Sequence, residues 1–172
     1  MLKEPSPSRI VSAYLKKANG KYYWSPRDQG LVKPGFRVPP ARLPLHPTRP
    51  EHKRVEAIFE KVRREQFPNR PSRIGAKFVC PSLKGWCKPK VVGTGSGSGI
   101  YEVSVSGKVF ETDSEYYTEA AFAAGSRADD ETLSSWAESY WEGRSGAPFF
   151  PEVVVQGTVT VIRSVFMGSS YE

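Results

Sequence analysis

The sequence predicts an α+β domain, with small, mainly antiparallel sheets flanked by helices, and three observations predict it. Residues 149–162 form a long apolar, β-branched run, with Val153, Val154 and Val155 at its centre, of the kind that makes a buried strand. From Ile100 to Ser106 apolar and polar residues alternate, with Tyr101, Val103 and Val105 facing one way and Glu102, Ser104 and Ser106 the other. Two segments, 51–66 and 131–142, instead repeat their apolar residues at helical spacing. Helices alongside strands in one chain of 172 residues fit a single domain, 1–172, with helices packed on one or two small sheets.

The composition is that of a globular chain: 38% hydrophobic and 12% aromatic residues. Fifteen prolines and fifteen glycines point to ordered loops between short elements. No apolar run is long enough for a transmembrane helix, and the start, Met1-Leu2-Lys3-Glu4-Pro5, lacks the apolar segment of a signal peptide, so a cytoplasmic protein is expected. Cys80 and Cys87 with His46 and His52 match no zinc-finger spacing, which leaves no metal site to expect and two thiols in a reducing compartment. Lysine and arginine outnumber aspartate and glutamate 25 to 18, a net charge of +7, and the excess lies before Lys90. A basic half suits polyanionic partners such as nucleic acid, or acidic protein surfaces.

Residues 1–50 read as a proline-rich, extended N-terminal part. Lys21-Tyr22-Tyr23-Trp24 is an aromatic strand after a turn at Asn19-Gly20. Pro34-Gly35 is turn chemistry, and the prolines at 39, 40, 44, 47 and 50 exclude regular structure between them. Both histidines are assigned to this segment. Thr48-Arg49-Pro50-Glu51 has the spacing of a capping box. Val55, Ile58, Phe59 and Val62 then make one apolar stripe, and Lys53, Arg54, Glu60, Lys61, Arg63 and Arg64 a solvated face.

Ala76 to Cys80 reads as a strand closed by Pro81. Gly93 to Gly99 is a flexible hairpin loop, because no Gly-Lys-Ser/Thr and no helix follow it. Gly107 is expected to turn the chain and Lys108 to Thr112 to form a further short strand. Asp113 is the expected N-cap of a helix stopping at Gly125, and Asp129 or Asp130 the cap of the next. In that helix Leu133, Trp136, Ala137, Tyr140 and Trp141 share a face, and Phe59 and Trp136 are both expected to be buried. Pro151 opens the last strand, Glu152 enters it near the rim, and Gly157 marks a bulge or a close backbone approach. The tail, 168–172, is expected to be loose.

Three pieces occur in a particular order: Gly35-Phe36-Arg37 in a basic extended part, Pro71-Ser72-Arg73-Ile74-Gly75-Ala76-Lys77-Phe78 leading into a strand, and Pro151-Glu152-Val153-Val154-Val155. With Tyr140-Trp141-Glu142-Gly143 ahead of the Glu strand, this resembles the ADP-ribosyltransferase-like proteins, most of all the small bacteriophage-encoded members. The resemblance spans roughly residues 35–162. It implies transfer of ADP-ribose from NAD, as substrate, to a macromolecular acceptor, protein or nucleic acid, in the cytoplasm of a host cell if the chain is phage-encoded. Glu152 would be the catalytic acid. Arg37 or Arg42 would fill the first motif, and Ser72 with Arg73, or Ser82, the middle one. Arginines would hold the pyrophosphate, and Tyr101, Tyr117 or Trp86 would stack on nicotinamide. Toxin-like members carry an acid or Gln two residues before the Glu, where it contacts the acceptor; here Phe150 stands there. The alternative is a non-enzymatic basic binding module of phage or host-takeover origin, acting on nucleic acid or a protein partner.

Overall fold

The valine run forms the strand on which the rest of the molecule is assembled. In a computed structural model, described for residues 21–25, 32–43, 48–81, 99–144 and 150–166, it extends from Pro151 to Phe166. The elements in chain order are β1 (Tyr22–Trp24), α1 (Pro50–Gln66), β2 (Lys77–Val79), β3 (Ile100–Asp113), α2 (Glu115–Gly125), α3 (Asp130–Glu142) and β4 (Pro151–Phe166). The strands form one antiparallel sheet in the order β1-β3-β4-β2. The domain is thus α+β, with one four-stranded sheet and three helices among the described residues.

β3 and β4 pair along their whole length, from Asp113 opposite Pro151 to Ile100 opposite Phe166. The expected turn at Gly107 does not occur. Gly107 stays inside a 14-residue strand at φ +110, directly opposite Gly157. Of the two readings of Gly157, close approach is the one observed: a Cβ there would lie 2.0 Å from the Ser106 carbonyl oxygen. The irregularities of the pairing lie elsewhere, between Ile100 and Tyr101 and between Glu102 and Val103.

Successive side chains of β4 point to opposite faces; both faces are covered at Val153, Val154 and Val155, where the run is continuously apolar, while Gln156, Thr158 and Ile162 beyond them are exposed. Val154, with Phe110 and Phe78, packs on the helix layer of Val55, Ile58, Phe59, Val62, Leu133, Tyr140 and Trp141. Val153, Val155, Val159 and Val161 face a second core with Val38, Val79, Tyr101 and Val103, closed by Tyr22, Trp24, Val32 and Phe36. Tyr23 and Cys80 exchange backbone hydrogen bonds of 2.7 and 2.8 Å, so the two outer strands meet. Residues 35–38 run beside the far half of β4, where Gly35 N–H donates to Val161 and Val38 N–H to Val159.

The helix stripes form as the spacing predicts, with four differences in detail. Thr48 does not cap α1: Arg49 is the N-cap and offers no side-chain bond, and Pro50, which has no N–H to satisfy, starts the helix. Asp113 ends β3 instead of capping directly; Ser114 is the α2 cap residue, while Asp113 Oδ1 accepts from the N–H groups of Glu115 and Phe150. Helix α2 runs through Gly125, and Arg127, at φ +62, takes the left-handed position beyond it. Asp129 caps α3 by accepting from Thr132 N–H at 2.8 Å, and Gly143 ends it at φ +73. Phe59 is fully buried, whereas Trp136 is only half-buried, at the edge of the layer against Tyr116. The Asn19-Gly20 turn, the loop 93–98, and Cys87, His46 and the tail 168–172 lie outside the described residues.

Candidate active site

Helix α1 places His52, Glu56 and Glu60 at four-residue intervals, and all three are buried along the edge of its apolar stripe. His52 therefore belongs to the first turn of α1, not to the proline-rich segment. Glu60 leaves the solvated face expected for it because Arg63 and Ser72 close over it: Arg63 donates at 2.7 and 3.0 Å, and the Ser72 hydroxyl at 2.9 Å. Burial works against the Glu60 carboxylate, but these hydrogen bonds and the charges of Arg63 and Arg64 outweigh it and hold its pKa below the usual value.

The turn after α1 turns Arg73 inward, with Gly75 at φ +75 and Ala76 N–H donating back to the Arg73 carbonyl. The Arg73 side chain is 3% exposed. Its Nε and Nη2 donate to the two oxygens of Glu56, both at 3.0 Å. Its Nη1 donates to the Tyr140 hydroxyl at 2.7 Å and to Glu152 Oε1 at 3.1 Å. The guanidinium also lies 4.3 Å from the Tyr117 ring centre, 4.8 Å from Phe78 and 5.2 Å from Tyr140. Burial opposes its charge, and the oxygens of Tyr140, Glu56 and Glu152 more than compensate, raising its pKa well above that of free arginine.

The Tyr140 hydroxyl donates to Glu152 Oε1 at 2.5 Å. Burial, with the nearby Glu152, pushes the Tyr140 phenol far up, so it stays protonated and remains a donor. Burial and Glu56 do the same to Tyr117, whose hydroxyl is 3.3 Å from His52 Nδ1. Tyr140 is tied from behind. The Thr112 hydroxyl donates to its carbonyl at 2.6 Å, and Thr112 is the residue paired with Glu152 across the sheet. The neighbouring Trp141 donates its indole N–H to the Phe59 carbonyl at 2.8 Å.

Glu152 thus stands where the strand begins, one oxygen held by two donors and its side chain 20% exposed. Its second oxygen, Oε2, accepts no hydrogen bond among the described residues. Of the residues singled out in the sequence, Glu152, Arg73 and Tyr117 converge here, and Ser72 lies alongside through Glu60. The others lie elsewhere. Tyr101 is buried in the second core, where its hydroxyl accepts from Val32 N–H. Arg37 is exposed opposite Thr160, eight residues along β4 from Glu152. Arg42 is exposed next to Ala41, whose N–H donates to Ala76. Ser82 and Trp86 lie outside the described residues. Glu56 and His52 were not foreseen; the signal for them is the polar i, i+4 row flanking an apolar helix stripe. Among the described residues no three His, Cys, Asp or Glu side chains are grouped as metal ligands would be, and no helix is long and apolar enough to cross a membrane.

Compared with known families, residues 48–166 match the model of DUF2441, a family described as proteins of unknown function. The chain belongs to the DUF2441 family. No curated protein matches it. The DUF2441 region contains all three helices, β2, β3 and β4, and every member of the Arg73 cluster; β1 and residues 32–43 lie outside it.

Proposed function

We propose that this DUF2441 chain is an ADP-ribosyltransferase-like enzyme that takes NAD as donor and passes its ADP-ribose to a macromolecular acceptor, a protein or nucleic acid. The observation that carries the reading is the state of Glu152: one carboxylate oxygen is fixed by Arg73 and Tyr140, and the other is left open at the mouth of the strand. The open oxygen suits a bond to a ribose hydroxyl.

The chemistry follows from that placement. The bond between ribose C1′ and the nicotinamide nitrogen breaks, and its electron pair leaves with nicotinamide. The sugar becomes oxocarbenium-like, as in glycoside cleavage. A fixed carboxylate beside the ribose favours that developing positive charge. An acceptor nucleophile then forms the new bond to C1′ and gives up its proton to water. Arg73, with its nitrogens engaged inside the protein, supports Glu152 in this scheme, and the pyrophosphate falls to exposed arginines such as Arg42.

The test is nicotinamide release from NAD by wild type and Glu152→Gln, with transfer of labelled ADP-ribose to cell extract as a second readout. Gln keeps the size and removes the charge. Turnover is expected to fall by about 10²-fold, equivalent to about 2.7 kcal/mol of barrier, with NAD affinity and thermal stability little changed. Equal turnover, or none in wild type, overturns the reading and leaves a basic binding module in its place.

A further inference from the structure

We propose that Tyr140 is a positioning residue for Glu152: its hydroxyl, held between Arg73 Nη1 and Glu152 Oε1, pins that oxygen and thereby makes Oε2 the working one. The inference rests on the role given to Glu152 above and deepens it.

Three contacts point to it. The Tyr140–Glu152 bond, at 2.5 Å, is shorter than the Arg73–Glu152 bond at 3.1 Å, so the phenol is the closer restraint on the carboxylate. The phenol has one proton. Arg73 fills its acceptor side at 2.7 Å, and that leaves the proton directed at Oε1. The base of Tyr140 is fixed to the same residue that fixes the Glu152 backbone, because Thr112 pairs with Glu152 in the sheet and bonds the Tyr140 carbonyl. The hydroxyl and the carboxylate are thus referenced to one point of β3. Arg73 is braced separately by its two-point pairing with Glu56. Without the phenol, Glu152 would keep one long bond to Arg73 and could turn about it, so that both oxygens would share the two roles.

Tyr140→Phe removes only the hydroxyl and retains the ring in the core. It is expected to lower kcat for nicotinamide release by about 10-fold, with KM within about twofold. In a Glu152→Gln background the same change is expected to cost nothing further, since Tyr140 acts through that carboxylate. A merely structural role would lower kcat in both backgrounds, and that result, or full kcat in Tyr140→Phe, overturns the proposal. A crystal structure of Tyr140→Phe gives a readout that needs no activity: Glu152 is expected to be displaced or spread over several orientations, and an unmoved carboxylate overturns the proposal. The wild-type fold offers another: an exchangeable phenol proton in the NMR spectrum that shifts in Glu152→Gln; its failure to shift counts against the bond. Should neither wild type nor Glu152→Gln release nicotinamide, the enzymatic reading falls, and these two structural readouts still decide whether Tyr140 holds Glu152.

Discussion

Gly107 and Gly157 lie opposite each other where β3 crosses β4, so close that a Cβ on Gly157 would meet the Ser106 carbonyl oxygen at 2.0 Å and one on Gly107 the Gln156 oxygen at 2.6 Å. The atoms in the way belong to the backbone and cannot rotate aside. Gly157→Ala is therefore expected to destabilise the fold by about 1–3 kcal/mol or more, as an overpacked site does. Chemical denaturation of the two proteins checks this, and an unchanged midpoint would contradict the contact.

Phe59 is fully buried, edge-on to Tyr117 and Tyr140, and its carbonyl receives the Trp141 indole. Phe59→Ala should cost about 3–5 kcal/mol. The same denaturation measurement applies, and a loss below about 1 kcal/mol would place the ring outside the core.

Glu56 and Arg73 form a buried two-point pair, and removing Glu56 leaves the buried guanidinium with Glu152 as its carboxylate partner and two of its nitrogens without the acceptor they had. Glu56→Ala is expected to destabilise by about 3–5 kcal/mol. The double change Glu56→Leu with Arg73→Met should cost less than Glu56→Ala alone, because no buried guanidinium is left short of acceptors. A double variant worse than the single one would show that the pair itself stabilises the fold.

The Glu60 carboxyl titrates below its ordinary value in the folded chain. A lowered folded pKa means that its contribution to stability is present above the unfolded value, about 4.3, and is lost as pH falls through the lower folded one. Wild type should therefore melt above Glu60→Gln near neutral pH, and the gap should close in acid below about pH 4. A gap that is constant with pH would exclude the linkage.

Much of the scaffold was legible because it rests on local pattern. The alternation at Tyr101, Val103 and Val105, the stripe of Val55 to Val62 and the valines after Glu152 each carry their own period. Gly107 misled because glycine is a turn signal in isolation, whereas here it is needed for the close crossing with Gly157. Arg73, Ser72 and Tyr117 entered only through the family resemblance; from the residues alone the site was legible at Glu152, where a carboxylate beside valines stands out. Its partners come from distant positions, 79 residues away for Arg73, and no spacing announces them. Glu56 and Glu60 look like ordinary helix-surface acids until Arg73, Ser72 and Arg63 fold over them.

Closure of the sheet at Tyr23 and Cys80 has a practical corollary. The strand and the 35–38 segment that cover the margins of β3 and β4 come from before residue 48, outside the family region. A fragment cut to that region would keep every member of the Arg73 cluster yet present two rows of unsatisfied amides and carbonyls, beside valines stripped of their cover. Such borders recruit other strands. A chain shortened in this way is expected to self-associate, and solubility should fail in it before chemistry does.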